Sequence, residues 1–213
     1  MRAALLGRAL VLCFGAGVDS TALLVLLRLA GLRPDAITFA DTGGEKPPTL
    51  AYLTRIERVL RAWGWPPVEV CRRRTQPGTP YDDLLGNCLA NETLPSLAFG
   101  MKSCAIKWKQ QPQDQHLMGA ARGPNAKAAH PLWRHAVARG QRIVKLIGYD
   151  CGRADLRRAR ASLGASASGP FDYAYPLQIV GGHQATACGP SRRTGEDMVR
   201  DARASRAPGR RWA

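Results

Sequence analysis

No C-x-x-C pair occurs among the six cysteines, Cys13, Cys71, Cys88, Cys104, Cys151 and Cys188, and their scattered spacing fits neither a zinc ribbon nor the common iron–sulfur patterns. Reduced thiols in a cytoplasmic protein are the simplest account of them. No segment is apolar over a length that would span a membrane. The apolar run Ala3 to Phe14 is flanked and interrupted by Arg2 and Arg8, lacks a small-residue cleavage site, and passes straight into a glycine turn, which argues against a targeting segment. Internal repeats are absent, so a solenoid is excluded. Acidic residues are scarce, 16 against 31 Lys and Arg, for a formal net charge of +15 over 213 residues. That balance favours polyanionic partners, nucleotide phosphates or nucleic acid, without choosing between them and without excluding a merely basic, soluble surface. The length suits one full domain.

Hydropathy patterning supplies the architecture. Ala9 to Phe14 reads as a buried strand that ends at glycine, and Ala22 to Ala30 as a helix that stops at Gly31, with helix-start chemistry at Asp19-Ser20. Ala36 to Ala40 is a second strand, Leu50 to Trp63 a second helix stopped by Gly64, and Val68 to Cys71 a third strand. Strand–helix–strand–helix–strand in this spacing predicts a parallel sheet with helical crossovers. Beyond it, Asp82 to Ala90 and Leu132 to Ala138 read as short helices. Lys102 to Met118 reads as a helix broken or kinked at Pro112, Gly119 to His130 as a surface loop, and Arg142 to Ile147 as a strand closed by Gly148.

The break in "FGAGVDST", Phe14 to Thr21, is the first candidate site. Small residues between a strand and a helix N-terminus let an anion approach free backbone N–H groups on which the positive end of the helix dipole also acts. A Walker A loop requires a Lys that is missing here. A dinucleotide loop requires a third glycine where Ser20 stands, although Asp41 supplies an acid after the second strand. A tight turn without ligand is the remaining plain alternative.

A fourth reading uses more of the chain. "FGAGVDST" resembles the S-G-G-x-D-S pyrophosphate loop of the PP-loop ATP pyrophosphatase (adenine nucleotide alpha-hydrolase) superfamily, with Gly15 in place of the usual Ser and Ala16 in place of Gly. "ADTGGEKPPTLAYL" resembles the D-T-G-x-x-x-P-E-T segment of the phosphoadenosine phosphosulfate (PAPS) reductase-like branch, keeping Asp41, Thr42, Gly43, Pro47 and Thr49 but with Pro48 for Glu. "KSCAIKWKQQPQDQ" is similar to that branch's C-x-x-x-[WF]-K-x-x-P segment, with Cys104, Lys107, Lys109 and Pro112, and "IGYDCGRADLRRA" stands where the branch has G-I-R-x-x-E-S-x-x-R. The resemblance covers about residues 9 to 160. It implies a HUP-like (Rossmann-like) three-layer α/β/α sandwich with a mostly parallel sheet of about five strands, over residues 1–180.

The residues then take candidate roles. Gly15, Ala16, Gly17, Ser20 and Thr21 would cradle a pyrophosphate-like group. Asp19 would act through Mg²⁺, since a carboxylate beside phosphate needs a cation between them; its plain role is helix capping. Asp41, Thr42 and Gly43 stand at the carboxyl rim of the sheet, where the resemblance also puts the nucleotide, though "DTGG" is equally ordinary turn chemistry. Lys107, Lys109, Arg157 and Arg158 are candidates to neutralise phosphate or sulfate, and Cys104, between Lys102 and Lys107, for a reactive thiol. Lys107 and Cys104 join Asp19 as the catalytic candidates.

The expected ligands are ATP or a sulfonucleotide (PAPS or its 3′-dephospho form, APS), with Mg²⁺ and without an iron–sulfur cluster. The favoured function is cleavage or presentation of the nucleotide at its α-phosphate. Sulfonucleotide reduction with a small thiol-reducing partner protein, nucleic-acid thiolation or modification, and a non-catalytic nucleotide-binding remnant are the alternatives. Reduction is disfavoured because the branch's C-terminal Glu-Cys-Gly-Leu-His segment is missing, Cys188 in "ACGPS" being the only late thiol. Residues 181–213, rich in Gly, Ala and Arg, are expected to form a disordered or loosely attached tail, or to reflect a coding frame altered near Gly181.

Overall fold

A computed structural model describes residues 2–94, 105–120, 123, 126–166 and 169–181. The apolar run after Arg8 forms strand β1, Leu10–Cys13, preceded by the single-turn helix α1, Arg2–Leu5, and followed by α2, Val18–Leu29. Strand β2, Ala36–Asp41, leads to α3, Pro47–Trp63, which starts with proline in its first turn and stops at Gly64, and then to β3, Val68–Arg72. Helix α4, Leu84–Ala90, is capped by Asp83, whose carboxylate accepts the Gly86 N–H at 2.6 Å.

The expected Pro112 break takes a specific form. A π-helical turn, Ile106–Gln110, runs into α5, Gln111–Met118, so the proline falls in the first turn of α5, where its missing N–H costs least. Helix α6, Pro131–Ala138, strand β4, Ile143–Ile147, helix α7, Arg153–Ser166, strand β5, Phe171–Ala174, and helix α8, Pro176–Gly181, complete the described chain. The segment 119–130, expected as loop, carries one antiparallel bridge, Ala120 to Lys127. Helix α8 reaches one residue into the expected tail; 182–213, with Cys188, lie outside the described residues, as does Cys104.

The five strands form one all-parallel sheet in the order β3-β2-β1-β4-β5. Strand β1 is central, with Leu12 registered on Ile37 of β2 and on Leu146 of β4. Alternation along the strands divides the core between two faces. Leu10, Leu12, Val144 and Leu146 pack with Leu23, Leu24 and Leu27 of α2 and Ile56, Val59 and Leu60 of α3. On the opposite face Val11, Ile143 and Phe171 pack with Leu117 of α5 and Ala136 of α6. The protein is an α/β three-layer sandwich of Rossmann-like type, as the strand–helix alternation predicts. Because the chain leaves β1 towards β2 on one side and reaches β4 on the other, the carboxyl end of β1 is the topological switch point, the place where open α/β sheets bind ligands.

Candidate functional site

At that switch point lies a cavity of about 340 Å³. Its upper wall is the loop after β1, with Gly15, Gly17, Asp19 and Ser20; Gly148 and Tyr149 close a second side, Phe39 and Ala40 of β2 a third, and Lys109, Gln110 and Gln113 a fourth. Gly17 is extended, and α2 begins immediately after it, so the first helical turn, whose N–H groups have no intrahelical partner, borders the cavity at Asp19 and Ser20. Ala16 is held at φ 54°, in the left-handed region. The residue usual there in the PP-loop pattern is glycine, which adopts this conformation freely, whereas alanine is strained in it.

The loop is closed by its own hydroxyls. Ser20 Oγ accepts the Gly17 N–H at 3.1 Å and donates to the Gly17 carbonyl at 3.0 Å. Thr21 Oγ1 donates to the same carbonyl at 2.9 Å and lies 3.2 Å from Tyr52 Oη. Ser20 still borders the cavity, but Thr21 is fully buried behind it, so its hydroxyl shapes the loop rather than meeting a ligand. A Cβ placed on Gly148 would come within 2.9 Å of the Asp19 and Ser20 backbone, so only glycine lets the end of β4 pass this close to the start of α2.

Asp19 lines the cavity, and its carboxyl is held above the usual aspartate range, first by burial and then by the negative charges of Asp150 and Asp155. Were a divalent cation bound beside this loop, Asp19 is the lining carboxylate that would hold it, and the cation would supply charge neutralisation of phosphate oxygens.

The structure separates the other expected residues. Asp41 Oδ1 accepts the Gly43 N–H at 2.8 Å, and its other oxygen lies 3.6 Å from Arg72, so it organises the turn and the edge of the sheet. Thr42 is buried, donating to Glu45 at 3.0 Å. Gly43, at φ +73°, packs so tightly on Asp83 that any side chain would collide with it. None of the three lines the loop cavity; the segment's link to it is the Glu45 carboxylate, 3.5 Å from the ammonium of the lining residue Lys109. The π-turn sends its two lysines apart. Lys109 lines the cavity, whereas Lys107 turns to Tyr81, with Nζ 3.4 Å from the phenol oxygen. Trp108, between them, is buried beside the Arg73 guanidinium. Arg158 pairs with Asp155 and stands 6.0 Å from the ring centre of Tyr149, a lining residue; Arg157 is exposed on α7, and neither arginine itself lines the cavity.

Sequence reasoning missed the floor. Cys13, Lys145, Ile147 and Tyr173 form it. Lys145 is 3 % exposed, ion-paired with Asp114 of α5, and centred 3.9 Å over the Phe171 ring. The available signal was a single charge within the apolar strand "IVKLI". Burial pushes the Cys13 thiol up despite the Lys145 charge nearby, so it is a neutral thiol, and burial with the Asp114 charge pushes the Tyr173 phenol up to about 12, so it stays protonated.

A second cluster lies on the far side of α5. Glu69, His116 and His130 bring potential ligand atoms within 4.8 Å of one another. Their hydrogen bonds nevertheless commit the imidazoles. His116 Nδ1 faces the Lys127 ammonium at 2.6 Å, and His130 Nδ1 accepts the Leu132 N–H at 3.1 Å. In the neutral rings the remaining proton therefore sits on Nε2, aimed in both at the Glu69 carboxylate, and no lone pair is left to converge on a metal. The cluster is a fastening between β3, α5 and the start of α6.

A scan of protein-family models, a search of curated proteins and a search of solved structures each return no match to this chain.

Proposed function

We propose that the protein binds an adenine nucleotide of the ATP or sulfonucleotide type and cleaves or presents it at the α-phosphate, in the manner of the PP-loop superfamily's PAPS reductase-like branch. The observation that carries this reading is the Gly15–Ser20 loop: it opens the N-terminus of α2 into a cavity at the switch point of a parallel sheet, with a carboxylate, Asp19, beside it. In this reading the backbone donors of the loop hold phosphate oxygens where charge develops during attack at the α-phosphorus, and Lys109 in the lining and Arg158 beside Tyr149 add positive charge. Asp19 fixes the cation that accompanies the phosphates. Among the described residues Cys13 is the thiol that lines the cavity, and burial keeps it neutral; Cys104, next to the lining residue Ala105, lies outside the described residues. Equilibrium binding of Mg-ATP and of PAPS, followed by assay for pyrophosphate and sulfite, tests the proposal. Micromolar binding of one nucleotide with pyrophosphate release is the expected result; failure of folded protein to bind either overturns it.

A further inference from the structure

The floor of the cavity is built against the ordinary interests of the fold. Strand β4 is interior to the sheet, and its neighbours Val144 and Leu146 are buried apolar residues. A buried ion pair at such a place is no more stabilising than well-packed apolar residues of the same size. Lys145 and Asp114 are nevertheless there, and they are not equivalent: the lysine borders the cavity and the aspartate does not. The cation is thus in front and its counterion behind. An ammonium has three N–H donors, and among the described residues this one has a single hydrogen-bond acceptor, Asp114 Oδ1, with the Phe171 ring on another side. Tyr173, registered beside Lys145 on β5, lines the same floor.

We infer that Lys145, positioned by Asp114 and flanked by Tyr173, is a binding site for an oxyanion lying beneath the phosphates held by the Gly15–Ser20 loop. The inference rests on the phosphate-binding reading of that loop. It makes the protein's ligand doubly anionic across the cavity, either as a nucleotide with a separate small oxyanion such as sulfate or as a nucleotide whose own further phosphate reaches the floor. Lys145 is the residue that meets the ligand; Asp114 acts through Lys145.

Calorimetric titration with inorganic sulfate, on free protein and on protein saturated with Mg-ATP, tests this. Sulfate binding in both states identifies a separate oxyanion; sulfate displaced by Mg-ATP identifies the nucleotide's own phosphate. In the first case Lys145→Met weakens sulfate at least about tenfold and leaves Mg-ATP affinity within about threefold; in the second it weakens both. Asp114→Asn has the opposite sign, tightening the oxyanion about three- to tenfold, because the ammonium loses its internal counterion. This second variant keeps the test decisive if Lys145→Met does not fold. Wild-type protein that binds no sulfate in either state overturns the inference. So do unchanged affinities in both variants, or Asp114→Asn weakening sulfate, which would mark the pair as structural only. If wild-type protein binds sulfate through Lys145 but no Mg-ATP, the loop reading falls while the oxyanion site stands.

Discussion

Two departures of the loop from the PP-loop pattern differ in physical consequence once their backbone is known. Ala16 occupies a left-handed conformation that costs an L-residue with a Cβ roughly 1–2 kcal/mol. Ala16→Gly, which relieves that strain but adds chain entropy to the unfolded state, should raise unfolding free energy by about 0.5–1 kcal/mol, read as a higher denaturant midpoint at unchanged slope. Gly15, by contrast, has room: an added Cβ would find only Ser20 Oγ, at 3.9 Å. Gly15→Ser should fold normally and, supplying one more hydroxyl to the loop, tighten Mg-ATP binding several-fold in the calorimeter. Gly148 is the reverse case, and Gly148→Ala should cost about 1–3 kcal/mol by forcing β4 away from α2. Asp19 links stability to function with a definite sign. Its folded-state pKa is raised, so the fold favours the protonated form and loses stability as pH rises through the carboxylate range. Asp19→Asn should therefore melt no lower than the parent at pH 7, with the difference vanishing near pH 3, while Mg²⁺-dependent nucleotide binding is lost.

Among the elements, α5 is a partition. Gln113 on one flank borders the loop cavity, and His116 on the other is fastened to Glu69 of β3. The Glu69 carboxyl is held below its usual range, chiefly by the His116 hydrogen bond and against the effect of burial. Its contribution is present above the ordinary glutamate range and is lost as pH falls through the lowered value. Glu69→Gln should cost about 2 kcal/mol at pH 7 and flatten the acid side of the stability profile between roughly pH 5 and 3, as followed by thermal melting. The sequence made β1, β2 and β4 legible because their residues are mostly apolar on both faces, as a covered parallel strand requires. Strand β3, "VEVCR" at the sheet edge, was legible through its branched apolar residues between glycine and proline stops. Strand β5, "FDYA", was not, because its four residues mix two aromatic rings with an aspartate that pairs with Arg8 and Arg142 across the sheet. Helix α7 was equally hidden, its arginines masking the deeply buried Ala159. For the site, local sequence located the loop and Asp19, since both depend on neighbours in the chain. It could not show that the Thr42 carbonyl takes the Leu84 N–H at the start of α4, or that Lys145, more than a hundred residues from the loop, forms the cavity floor, because those placements depend on contacts between segments distant in the chain.

At the scale of the molecule, no helix among the described residues is long and apolar enough to cross a membrane, and the +15 formal charge has to be accommodated by a chain with few acids. Several of those acids are spent inside ion pairs: Asp172 joins Arg8 and Arg142 at the amino ends of β1 and β4, and Asp114 answers Lys145. The central place of β1 has a further meaning for how the protein comes into being. During synthesis β1 can pair with β2, and β2 with β3, as soon as they emerge, but the other edge of β1, Leu10 to Cys13, must wait for Ile143 to Ile147. At ribosomal speeds of about 5–20 residues per second, that edge stays open on the order of ten seconds, an apolar seam exposed to neighbouring nascent chains. The cavity at the carboxyl end of β1, which needs β1 and β4 together, can exist only after the seam has closed.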